Sequence, residues 1–171
     1  MIPSILKWLA RRRVTIGFLS AMVAMWLAEP TARWVAVGGV VALVGEAMRV
    51  WAAGHLDKGR EVTTTGPYRV MRHPLYLGSA IIGVGVAIAS ANAIVAALVL
   101  AYLVVTLTAA ILTEESHLTQ KFGAAYPEYR EGRSAGAGRR FSVERVMRNR
   151  EYRAVAGLTL AFALLWWKAM S

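Results

Sequence analysis

Apolar residues fall in five runs along the chain, at roughly 14–29, 32–53, 74–91, 93–113 and 154–170, and polar residues collect between them. A membrane-crossing helix needs about 20 consecutive apolar residues. The second and fourth runs meet this with ease, while the first, third and fifth are short and would cross with little tilt or with local thinning of the bilayer. The pattern predicts an all-α integral membrane bundle of about five transmembrane helices, forming a single membrane domain over residues 1–171. The "SAN" linker at Ser90–Asn92 is short enough to make the third and fourth spans a tight helical hairpin. Ser79 and Gly83, four residues apart, would permit close helix approach there. "RRR" before the first run suits a leader peptide, but no small-residue cleavage site follows, so this run is read as a span.

Charge placement orders the spans. Of 20 Lys and Arg residues, four (Lys7, Arg11, Arg12, Arg13) precede the first span. Another four (Lys58, Arg60, Arg69, Arg72) lie between the second and third. Nine, from Lys121 to Arg153, lie between the fourth and fifth. Only Arg33 and Lys168 fall on the other side, and Arg49 lies inside the second span. Cations stay cytoplasmic, so the N-terminus is expected inside, the C-terminus outside, and the polar segments at the cytoplasmic face. The net charge of +10 is thereby accounted for by topology, and no nucleic-acid reading motif accompanies it. With no cysteine and three histidines at no ligating spacing, no metal site is expected.

Two segments concentrate the chemistry. "GPYRVMRHPLYLG" (66–78) begins as a turn and enters the third span at Pro74, where a missing N–H is tolerated at a helix start. The unpaired N–H groups of that start favour anionic groups. "TEESHLTQKFGAAYPEYR" (113–130) follows the fourth run, with Glu114 and Glu115 expected to end the span. The hairpin would bring both carboxylates beside Arg72, His73 and Tyr76. From the residues alone, interfacial anchoring by snorkelling Arg and Tyr is an equal reading.

These segments resemble the signature of the isoprenylcysteine carboxyl methyltransferase family and its phospholipid methyltransferase relatives. The matching positions are Gly66, Tyr68, Arg72, His73, Pro74, Tyr76 and Gly78, then Glu114, Glu115, Leu118, Phe122, Gly123, Tyr126 and Tyr129. "MRVWAAGHLDKG" upstream is similar to bacterial members, which implies a bacterial inner membrane. The resemblance covers about residues 46–130. It implies that the two segments enclose S-adenosylmethionine, leaving S-adenosylhomocysteine as product, and that a lipophilic or lipid substrate arrives from the bilayer. The resemblance assigns Tyr68, Arg72, His73, Pro74, Tyr76, Glu114 and Glu115 to the cofactor. Arg72 would pair with its carboxylate, Glu114 or Glu115 would take ribose hydroxyls or the ammonium, and Tyr68 and Tyr76 would face sulfonium or adenine.

The acceptor is expected to be a lipophilic carboxylate, with a phospholipid amine as the near alternative. A carboxylate needs alignment, desolvation and a cation, for which Arg69 and Arg49 are candidates. An amine, as in phospholipid N-methylation, needs a base such as Glu115 or a histidine. A non-catalytic lipid- or partner-binding bundle is the alternative of another class. Glu46 and Arg49, three residues apart on the second span, are read either as a structural pair or, for Arg49, as a substrate contact. His55 is read as fixing a loop. The chain departs from the isoprenylcysteine enzymes in its C-terminal part, where a flexible basic connector (132–140), an amphipathic basic stretch and the extra span at 154–170 would cover or reshape the lipid entrance.

Overall fold

A computed structural model describes residues 4–131 and 140–171. Within them, seven α-helices and one 3-10 turn follow the apolar pattern: α1 (Ser4–Leu27), α2 (Ala32–His55), the turn Gly66–Arg69, α3 (Pro74–Ala89), α4 (Ala93–Phe122), α5 (Ala125–Arg130), α6 (Val143–Arg148) and α7 (Tyr152–Met170). The expected basic connector lies, except for Arg140, outside the described residues. Three helices among the described residues, α2, α4 and α7, are long and apolar enough to cross a membrane, and two shorter apolar helices accompany them over 15–27 and 74–89. At 1.5 Å per residue the 16 residues of α3 reach roughly 24 Å, short of a hydrocarbon core of about 30 Å. Large apolar side chains such as Leu43, Val104 and Leu160 face outward, as lipid contact requires. The chain is a helical membrane protein.

The tightest packing is between α2 and α3. Gly38 and Gly45 on α2 meet Gly85 and Gly78 on α3. A β-carbon on Gly45 would stand 2.7 Å from the Gly78 carbonyl oxygen, and one on Gly85 would stand 2.6 Å from that of Gly38. The sequence reading placed close approach at Ser79 and Gly83. Gly83 does receive Leu103 of α4, but backbone-to-backbone contact runs along the other face of α3. The hairpin itself is capped by Asn92, whose side-chain oxygen accepts from the Ile94 and Val95 amides at 3.0 and 3.1 Å. The Glu29 amide donates to the Ser90 carbonyl at 2.8 Å, tying the α1–α2 turn to the hairpin.

Helix α4 continues past the apolar run. Glu114 and Glu115 do not end it; it proceeds for two further turns to Gly123, whose φ of +55° stops it. The apolar run ends where the bilayer would, but residues such as Glu, Gln and Lys propagate a helix in water equally well.

Segment 140–151 covers the C-terminus of α2, whose last carbonyls have no intrahelical donors. The Asn149 amide donates to the carbonyls of Ala53 and Leu56 at 2.9 and 3.0 Å, and Arg145 Nε to that of Gly54 at 2.7 Å. From there α7 runs back along α2, and Lys168 donates to the carbonyls of Met25 and Trp26 at the end of α1.

Candidate active site

Gly66 opens the first motif with a φ of +58°, and a β-carbon there would lie 2.6 Å from Nδ1 of His55. Only glycine accommodates both the conformation and the ring. His55 is buried, bonded to the Trp51 carbonyl at 3.0 Å, and supports the turn as expected. Pro74 then starts α3, with His73 as the residue before it.

The two motifs interlock. Tyr129 donates to the Tyr68 carbonyl at 2.6 Å. One oxygen of Glu115 takes His73 Nε2 at 3.0 Å and Arg72 Nη1 at 3.2 Å. Glu115 sits on the part of α4 beyond its apolar run. Burial pushes its carboxyl up, but the His73 bond and the Arg72 charge outweigh this and hold it below the usual range. Tyr126 is buried beside it, and burial first, then Glu115, pushes its phenol up to about 12. Burial, then the charge of Glu114, holds the Tyr68 phenol protonated well above its ordinary value.

Above this junction lies a cavity of about 400 Å³. Tyr68, Arg72, His73, Pro74 and Tyr76 line it from the first motif, and Glu114 from the second. Arg49 of α2 lines it too. Within the described residues, seven of the nine residues expected to be functional therefore share one cavity. Two do not. Glu115 stands behind the wall, holding Arg72 and His73. Arg69 is exposed at the end of the 3-10 turn and lines neither this cavity nor the apolar one beside it, because that turn points its buried face, Pro67 and Tyr68, inward instead.

A second cavity, about 480 Å³ and mostly apolar, is walled by α1, α2, α3, α4 and α7. Arg49, Ser79, Tyr102 and Leu103 line both. Sequence reasoning missed several of these residues. Tyr102, Thr106 and Ala110, with the expected Glu114, recur every fourth residue on α4 and form one wall of the polar cavity. Tyr102 and Thr106, polar side chains four residues apart within an apolar run, were the available signal. Asn149 and Glu151, from the C-terminal part, close the polar cavity opposite them. Glu151 also carries the principal contact of Arg49, accepting from its guanidinium at 2.9 and 2.8 Å, while Glu46 stands 3.8 Å from Arg49 Nε.

A family model described as phospholipid methyltransferase matches residues 13–125 of this chain, from within α1 to the first residue of α5. The chain belongs to the phospholipid methyltransferase family. The family is described as one of phospholipid methyltransferases. The match takes in the first motif and most of the second, and leaves α6, Glu151 and α7 outside. Among curated proteins it is similar to the nickel-cobalt-cadmium resistance protein NccN of Alcaligenes xylosoxydans xylosoxydans, at 33% identity over 97 residues. That alignment covers 54% of this chain and 43% of the relative, so this phospholipid methyltransferase family member aligns with less than half of that protein's length. No solved structure matches the chain significantly.

Proposed function

We propose that this protein transfers a methyl group from S-adenosylmethionine to the head group of a lipophilic acceptor held in the bundle. The observation that carries this reading is the meeting of a polar cavity, lined by both family motifs, with an apolar one at Arg49, Ser79, Tyr102 and Leu103. The polar cavity suits the cofactor chemically. It offers a cation and carboxylates of opposite sign, aromatic rings and apolar surface, to match a zwitterion, a sulfonium, ribose hydroxyls and adenine. Arg72 would bind the carboxylate, Glu114 the ribose hydroxyls or ammonium, and Tyr68 and Tyr76 the sulfonium or the base. Bound S-adenosylmethionine supplies a methyl group already activated on sulfur. The protein's own part is to align the acceptor, exclude water and take up any proton released.

The acceptor we favour is an amine. A carboxylate would need a free cation, and Arg49 is engaged twice by Glu151. With Glu46 nearby as well, two carboxylates face one guanidinium at the junction. A carboxylate acceptor, the second reading, would have to displace Glu151. We further propose a cytoplasmic site in an inner membrane, with the N-terminus inside, on the strength of the cation distribution.

Titration of the purified protein with S-adenosylhomocysteine, followed by methyl transfer to dodecylamine and to dodecanoate, tests the reading. Binding of the cofactor product with transfer to the amine is expected. No binding at any concentration up to millimolar would leave a non-catalytic lipid-binding bundle as the better account.

A further inference from the structure

The apolar cavity holds one group that the methyl-transfer site does not use. Glu46 lines it from α2, is 6% exposed, and neither of its carboxylate oxygens accepts a hydrogen bond. Its neighbour Arg49 offers no remedy. The guanidinium is turned to Ser79 and Glu151, and its Nε is itself without a hydrogen-bond partner, 3.8 Å from Glu46. An acceptor oxygen buried without a donor is unfavourable by an amount comparable to a lost hydrogen bond. A donor of the right shape entering this cavity would recover that energy.

The cavity's form indicates the rest of such a ligand. Its wall runs along α3 from Ser79 to Ser90, and 11 helical steps span roughly 16 Å. This is half of a hydrocarbon core of about 30 Å, the reach of one extended alkyl chain within one leaflet. The residues beyond Glu46 and Arg49 are mainly small or aliphatic, among them Ala21, Ala24, Val86, Val95 and Leu158. The charged groups, Glu46 and Arg49, stand at the Ser79 end, which is shared with the other cavity, while Ser90 lies at the far end.

We propose that Glu46 is a specificity-determining and proton-accepting residue: it binds the N–H donors of a single-chain alkylammonium head group at the mouth of the polar cavity. This rests on the methyltransferase reading and names the residue that reads the acceptor. Charged groups facing Glu46 are Arg49 on its own helix and Glu151 from the start of α7. With one guanidinium between two carboxylates, the junction has room for one more positive charge. In the transfer, the Glu46 carboxylate takes one proton from the ammonium, leaving a neutral amine. The nitrogen lone pair then forms the new N–C bond as the C–S bond breaks and its electrons stay on sulfur. The product is a methylammonium and a neutral thioether, with one proton left on Glu46 to pass to water.

The test uses the whole protein in nanodiscs of zwitterionic lipid, with partitioning into empty discs subtracted. Dodecylamine, dodecyltrimethylammonium and dodecanol differ only at the head. The native protein should bind dodecylamine at least tenfold more tightly than either of the others, because the trimethyl head has charge without N–H and the alcohol has a donor without charge. Glu46→Gln should reduce that preference to within about twofold while leaving S-adenosylhomocysteine binding within twofold. An equal preference in native protein and variant overturns the inference, and so does equal native affinity for amine and trimethyl heads, which needs no variant. If cofactor binding is intact in such a case, the methyltransferase reading stands without Glu46. If the preference depends on Glu46 but S-adenosylhomocysteine never binds, the amine site stands and the methyltransferase reading falls.

Discussion

Glu151 accepts two hydrogen bonds from the guanidinium of Arg49, at 2.9 and 2.8 Å, across 102 residues of sequence. Arg49 lies within the family match and Glu151 outside it. The pair therefore attaches the added C-terminal span to the site, and it does so where the polar and apolar cavities meet. Both partners are well buried, with 20% and 8% of their side chains exposed.

This pair should show asymmetric truncation. Removing one partner of a buried pair leaves an uncompensated charge and costs about 3–5 kcal/mol. Arg49→Ala strands two carboxylates, Glu46 and Glu151, and should sit at the upper end. Glu151→Ala leaves Arg49 with Glu46 at 3.8 Å and should cost less, about 3 kcal/mol. Denaturation in mild detergent, with the double variant included, measures both. Equal costs for the two single variants would mean that Glu46 does not share the guanidinium.

The glycine contacts between α2 and α3 give a sharper test of packing. Gly45→Ala would force a methyl group to 2.7 Å from the Gly78 carbonyl oxygen, so the helices must part. Overpacking of this kind costs about 1–3 kcal/mol. A methyl group on Gly157 of α7 would meet nothing within 4 Å, and Gly157→Ala should stabilise by about 0.5–1 kcal/mol through the unfolded chain. Thermal unfolding that ranks Gly157→Ala above the native protein and Gly45→Ala below it is the expected result. The reverse ranking would dispose of the close α2–α3 contact.

The Glu115 junction should show itself in pH dependence. Its carboxyl is held below the ordinary value of 4.5 in the folded protein. The stability it contributes is therefore fully present above the unfolded value, and is lost as pH falls through the lower folded one. At pH 7 Glu115→Gln should destabilise by about 1 kcal/mol, since Arg72 is half-exposed and screened by solvent. Below pH 4 the difference between native protein and variant should shrink toward zero. A gap that stays constant from pH 7 to pH 3 would show that Glu115 acts by shape rather than charge.

How much of this was legible in advance depends on the kind of interaction. The spans, the hairpin at Asn92 and the helix start at Pro74 follow from local pattern, and the structure has most of their ends within a few residues, although α1 already begins at Ser4 and α4 runs on to Phe122. The meeting of Arg72, His73 and Glu115 followed from the hairpin, because its antiparallel helices return the chain to the end at which α3 begins. Other contacts have no local signature. The Gly38–Gly85 and Gly45–Gly78 approaches need two helices read together at a seven-residue spacing. The Arg49–Glu151 pair joins residues 102 apart, and an acid in the basic run "RNREYR" gave no indication of its partner. The end of α4 was misplaced for a different reason: hydropathy reports the bilayer boundary, whereas the helix ends at the positive φ of Gly123.

Arg72 is the residue on which the cofactor reading turns. It lines the polar cavity, its side chain is 47% exposed, and Glu115 holds it through a single bond at 3.2 Å. That leaves donors of the guanidinium for a bound carboxylate, which prefers a bidentate partner. Losing this partner should weaken S-adenosylhomocysteine binding by at least tenfold, about 1.4 kcal/mol. Solvent at the cavity mouth keeps the loss below that of a fully buried pair. The fold should tolerate Arg72→Ala, because His73 still holds Glu115 at 3.0 Å. Binding should thus fall while the unfolding temperature hardly moves. Arg72→Lys keeps the charge but not the planar fork, and should recover only part of the affinity. Glu115→Gln, which removes the negative charge but keeps an acceptor oxygen and leaves the guanidinium untouched, should leave binding within about threefold, less than 1.4 kcal/mol. Calorimetric titration of the three variants in detergent separates these cases. If Arg72→Ala binds as well as the native protein and Glu115→Gln does not, the carboxylate of the cofactor is held elsewhere and Arg72 serves only to position Glu115.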